Sequence, residues 1–111
     1  MNINDWAKQL KKGSLEYCIL LLIKNKPCYG YELMSKLSTW PITTVKESTV
    51  YPLLRRLQSD GCLEAEWEQT NEGLPPRKYY SITSAGKSYL EKMSCEWDSL
   101  TDAIAHIKKD T

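Results

Sequence analysis

The apolar positions of this chain change their period twice, from helical to two and back again, and each change marks a new kind of element. Leu15, Cys18, Ile19, Leu22 and Ile23 recur at the three- and four-residue spacing of a buried helix face, and Pro27 predicts a stop soon after. Upstream, Ile3, Trp6 and Leu10 form a separate apolar stripe that a minimal core does not need. A second helix is predicted from about Gly30 to Ser38, with Tyr31, Met34 and Leu37 available for burial and Pro41 beyond it. In a third, Val50, Leu53, Leu54 and Leu57 share one face. Ser48, Pro52, Arg55, Arg56 and Ser59 share the other, Thr49 and Tyr51 lie at the flanks, and Asp60-Gly61 ends the helix.

From Cys62 the period becomes two. Leu63, Ala65 and Trp67 alternate with Glu64, Glu66 and Glu68, the pattern of a half-buried strand whose carboxylates form an ordinary solvated edge. Asn71, Gly73, Pro75 and Pro76 then make a long loop, and residues 77–82 resume extended character with Tyr79 and Tyr80. Thr83 is a ready N-cap for a final helix, although Gly86 weakens its first turn. In that helix Leu90, Met93, Trp97, Leu100, Ile104 and Ile107 alternate steps of three and four, a coiled-coil seam that calls for a partner helix.

The predicted class is therefore mainly α with a small β-hairpin. Residues 1–82 form a winged helix-turn-helix with an N-terminal helix, and residues 83–111 form a long dimerisation helix joined to it in one unit. In this geometry the third helix enters the major groove and the hairpin wing touches the neighbouring backbone. Arg55 and Arg56 suit phosphates or guanine edges, Ser48 and Thr49 can donate from the helix start, and Tyr51 can reach the backbone. Arg77 and Lys78 follow the wing tip and suit phosphates, and Lys8, Lys11 and Lys12 extend the basic surface.

Composition narrows the picture. With 111 residues, 41% of them hydrophobic, the chain suits one core. Its longest apolar run, Cys18 to Ile23, is too short to cross a bilayer, and the polar N-terminus does not read as a signal peptide, so a cytoplasmic protein is expected. The net charge of +1 says little about nucleic acid, but its distribution says more. Residues 1–60 hold nine Lys/Arg against five Asp/Glu, and residues 61–111 hold six against nine. Cys18, Cys28, Cys62 and Cys95 lack paired C-x-x-C spacing, so they read as reduced, with no metal and no cofactor assigned. No phosphate loop, nucleophile elbow or catalytic histidine arrangement is present, and His106 reads as a solvated or dipole-stabilised residue near a helix end. An enzyme is not expected.

The sequence also resembles the PadR family of transcriptional regulators, and within it the small subfamily with one C-terminal helix. The likeness is carried by Gly13-x-Leu15, Ile19-Leu20, Tyr29-Gly30-Tyr31-Glu32-Leu33, residues 48–57 (Ser-Thr-Val-Tyr-Pro-Leu-Leu-Arg-Arg-Leu), Asp60-Gly61, and residues 77–86 (Arg-Lys-Tyr-Tyr-Ser-Ile-Thr-Ser-Ala-Gly). It implies a homodimer in which the last helix packs on its counterpart and on the N-terminal helix of the other subunit, accounting for Trp6 and Leu10 as well as the seam. It also implies a repressor released from double-stranded DNA by a small aromatic or hydrophobic effector, with Trp97 stacking on that ligand and Met93 and Leu100 beside it. Tyr29 and Tyr31 read as packing residues of the family motif. Pro52 removes an N–H early in the recognition helix, so a late start or a bend is expected there. The competing readings are a winged-helix protein-protein module and a small-molecule binding protein, each without a DNA role.

Overall fold

In the computed structural model, which describes residues 1–71 and 73–111, the long helix α1 (Ile3–Ile23) opens the chain without a break. Asn2 caps it through a 2.8 Å bond from the Asn4 backbone N–H to Oδ1. The two apolar stripes read separately from sequence thus belong to one helix. Its second half supplies Leu15, Ile19, Leu20 and Ile23 to the core, while Ile3, Trp6 and Leu10 remain exposed.

Strand β1 (Cys28–Tyr29) leads directly into α2 (Gly30–Leu37). A short 3-10 turn (Pro41–Thr43) connects α2 to α3 (Glu47–Ser59), and the Thr43 hydroxyl donates to the Leu37 carbonyl to tie the turn to the preceding helix. α3 begins at Glu47 and continues through Pro52, so the expected late start is not observed. The ring still deprives the Ser48 carbonyl of its ordinary i+4 donor. Val50, Leu54 and Leu57 are fully buried, Leu53 partly so, and Asp60 closes the helix before Gly61 turns the chain at φ 83°.

β2 (Leu63–Glu68) and β3 (Arg77–Ile82) form the expected antiparallel hairpin in the register Leu63↔Ile82 to Glu68↔Arg77. The sheet has a third strand that the sequence did not announce: β1 pairs with the free side of β3, Cys28↔Tyr80 and Tyr29↔Tyr79, giving the order β1-β3-β2. This small three-stranded sheet is the wing of the winged helix. The apolar alternation of β2 fades toward the tip. Leu63 is buried and Ala65 half-buried, whereas Trp67 is 69% exposed, since no helix among the described residues covers that end of the hairpin.

α4 (Ser84–Lys109) starts at Thr83, whose hydroxyl accepts from the Gly86 N–H at 2.9 Å and donates to the Gly61 carbonyl at 2.6 Å. Gly86 does not act as a weak point. A Cβ there would overlap the Cys62 carbonyl oxygen and crowd Ile82, so glycine is what lets α4 close on the end of β2. Leu90, expected at the subunit seam, is instead 3% exposed within the chain's own core. α4 stays against the rest of the chain for nearly four turns, with Gly86 and Leu90 buried and Met93, Ser94 and Trp97 half-buried, and only then leaves it. Every residue from Asp98 onward is exposed. No helix of the described residues is long and apolar enough to cross a membrane.

Candidate nucleic-acid interface and a helix-lined cleft

α3 presents its polar face outward because its buried residues, Val50, Leu54 and Leu57, anchor the opposite side to the core. Ser48, Thr49, Pro52, Arg55 and Arg56 are all exposed, as the helical wheel requires. The two arginines differ in their partners. Arg56 donates to the Glu16 carboxylate of α1 at 2.5 Å, with 57% of its side chain still open to solvent. Arg55 has no carboxylate within ion-pair distance among the described residues, so its guanidinium is available to a phosphate or a guanine edge.

Tyr51 is half-buried and its ring lies against the start of α2, where a Cβ on Gly30 would come within 2.5 Å of the Tyr51 hydroxyl. Burial, then the Glu47 carboxylate, push the Tyr51 phenol above its ordinary value, so it remains a neutral donor and acceptor at physiological pH. Tyr51 lines a cleft of about 560 Å³ between the α2 start, α3 and the wing. Arg77 and Lys78 line that cleft. The Arg77 guanidinium sits 4.6 Å from the Tyr29 ring centroid, Tyr29 stands edge-on to Tyr79 at 5.3 Å, and the Lys78 ammonium lies 5.4 Å from the Tyr80 ring. These contacts hold two basic side chains of the wing on an aromatic base.

Two aromatic residues beside this cleft escaped the sequence reading. Tyr31, expected to pack, is 69% exposed, and Trp67, expected to be half-buried, stands open on the wing. Both follow apolar periodicity, so only three-dimensional placement distinguishes them from core. Glu64, Glu66 and Glu68 lie exposed along the edge strand β2.

The second recess lies between α1 and α4. It holds about 650 Å³, with Leu10 and Tyr17 from α1 facing Met93, Trp97 and Leu100 from α4. The Tyr17 hydroxyl shares a 2.8 Å hydrogen bond with Ser94 Oγ, and its ring packs against the Trp97 indole at 5.7 Å between centroids, tilted by 39°. Met93 and Trp97 are half-buried, and Trp6, Leu10, Leu100, Ile104 and Ile107 are exposed, so an apolar strip continues along α4 well past the recess. His106 is exposed, its Nδ1 2.8 Å from the Asp102 carbonyl one turn earlier.

Comparison with known proteins gives a consistent result. Residues 19–92 match the model of the transcriptional regulator PadR-like family. A PadR family transcriptional regulator from Eggerthella lenta superposes with a TM-score of 0.83 at 34% identity, covering 95% of this chain and 90% of its own. A PadR-like transcriptional regulator from Bacillus cereus gives a TM-score of 0.80 at 38% identity, covering 89% of this chain and 95% of its own. An uncharacterized protein of Lysinibacillus sphaericus is 37% identical over 95 residues, which span 84% of this chain and 86% of that protein.

Proposed function

The chain belongs to the transcriptional regulator PadR-like family, whose members are regulators rather than enzymes, and from that premise we propose that it is a homodimeric repressor released from DNA by a small molecule. Residues 1–82 carry the DNA-binding unit in this reading, and residues 83–111 the dimerisation helix. α3 enters the major groove of double-stranded DNA with Ser48, Thr49, Arg55 and Arg56, while Tyr51, Arg77 and Lys78 hold phosphates on the wing side. A near-palindromic operator with half-sites about 10 bp, or a multiple, apart matches a two-fold dimer.

The observation that carries this reading is the exposed polar face of α3, with Arg55 in no ion pair among the described residues, beside a wing whose Arg77 is held on Tyr29. The apolar strip of Trp6, Leu10, Met93, Trp97, Leu100, Ile104 and Ile107 supports a helix-to-helix dimer. The recess at Tyr17 and Trp97 supports an aromatic or hydrophobic effector, its shape being concave and apolar with one hydroxyl pair to orient a ligand. A ligand there biases the separation of the two recognition helices, and coupling to DNA follows from its differential affinity for the two separations. A cytoplasmic location follows from the regulatory role.

A shift assay with the DNA upstream of the protein's own gene, with and without planar aromatic compounds, tests both halves. Retardation that is lost in Arg55→Ala and Arg77→Ala and reversed by a compound supports the reading. No retarded fragment at low salt overturns it.

A further inference from the structure

α3 is bordered by a basic wall on each side. On one flank stands the wing with Arg77 and Lys78. On the other, the N-terminal half of α1 and the start of α3 enclose an open groove of about 790 Å³. Lys8, Lys11, Lys12 and Lys46 line it together with Arg56, against one lining carboxylate, Glu16. The positions explain this wall: residues 8, 11, 12, 15 and 16 fall on one face of α1, so Leu15 goes into the core while the lysines project along the groove. Lys11 also donates to the Thr44 carbonyl at 2.8 Å, which fixes α1 against the segment leading into α3.

We propose that this α1–α3 groove is a second phosphate-binding wall, which seats the DNA strand on the flank of α3 away from the wing. The inference rests on the DNA-binding reading above and adds a partner to residues of α1. A helix seated in a major groove about 12 Å wide has a phosphate strand on either side, so a wing accounts for one flank only. Lys8 and Lys12 are one turn apart, about 6 Å along α1, while phosphates of one strand advance about 3.4 Å per step along the duplex. Two neighbouring phosphates therefore fall within reach of the wall. The groove is open along its length and lacks a buried polar side chain to enclose a small anion, which favours a continuous backbone as its occupant.

The test compares salt dependence for the full chain, using a duplex that the protein itself selects from a randomised 30-bp pool. Each phosphate contact contributes about 0.9 to the slope of log K against log salt. The Lys8→Ala/Lys12→Ala protein should lower that slope by about 1.8 per subunit, about 3.6 for a dimer seated on two half-sites, and weaken binding about equally for selected and unrelated duplexes. Lys24→Ala/Lys26→Ala removes the same charge outside the groove and should leave the slope near that of the unmodified protein. If both double variants lose slope alike, or neither does, the wall carries no specific contact and the inference fails while DNA binding stands. If the unmodified protein selects no duplex, the DNA reading and the inference fail together. Unchanged circular dichroism and sedimentation in both variants exclude a folding defect.

Discussion

Glu16 and Arg56 lie 40 residues apart in sequence and 2.5 Å apart in space, joining α1 to the outer face of α3. The pair is half open to water, so its value to folding is small, within about 1 kcal/mol. Its value to DNA binding has the opposite sign, because the carboxylate occupies the guanidinium that a phosphate would otherwise take. Glu16→Gln should therefore tighten operator binding several-fold, about 1 kcal/mol, with an unfolding midpoint in urea close to that of the unmodified protein. Weaker binding by the variant would show that Glu16 holds Arg56 in its DNA-reading position instead.

Gly86 offers a test of the fold with a clear sign. From propensity alone, alanine in a helix gains up to about 1 kcal/mol over glycine. Here the added methyl meets the Cys62 carbonyl oxygen and Ile82 Cγ1, so α4 must shift away from the strand. Gly86→Ala should lose about 1–3 kcal/mol in urea unfolding at fixed protein concentration. A gain in stability would mean that α4 has room to move at its first turn.

Helix ends and the hairpin were legible because their signals are local. Thr83 caps α4 through its own hydroxyl, and Asp60-Gly61 closes α3 with a positive φ, and both follow from residue chemistry within a few positions. What failed depends on distant partners. The two-residue strand β1 exists only because β3 offers it a free edge, and Leu90 fits a coiled-coil seam and a core position equally well until α1 is placed beside it. The Arg56 partner lay on another helix, and the exposure of Tyr31 and Trp67 follows from the absence of a covering layer rather than from their own spacing.

The thiols give a pH prediction. Burial raises Cys18, Cys28 and Cys62 above 9.0, and burial followed by Glu47 raises Tyr51 above 10.0. Such groups bind their protons more tightly in the folded chain than in the unfolded one. Their contribution is complete below the unfolded values and is lost as pH rises through the folded ones. Stability measured by urea should thus hold level from pH 7 to about 8 as far as these groups are concerned, and fall above about pH 9. Alkylation at pH 8 should give one rapid adduct, on the exposed Cys95, with Cys28 and Cys62 protected until the chain unfolds. Equal rates at all four would contradict the burial of Cys28.

The outer part of α4 tests the proposed homodimer directly. Leu100 is 53% exposed and Ile107 63%, with Ile104 between them on the same face, a strip that none of the described residues covers. Each lies beyond the part of α4 that packs on the core, where Gly86 and Leu90 are buried and Met93 lies at the edge. Charge can therefore be introduced at Leu100 and Ile104 without disturbing the winged helix. Leu100→Asp/Ile104→Asp should sediment as a monomer at micromolar concentration while keeping its helical signal. Since one half-site is then gripped without a tethered second, operator affinity should fall by about 10²–10⁴-fold, the range that effective concentration supplies to a bivalent binder. Binding to an isolated half-site should change little, because α3 and the wing are intact. A variant that remained dimeric would move the interface off this strip and onto another face of the molecule. One that became monomeric yet kept full operator affinity would show that a single α3 suffices.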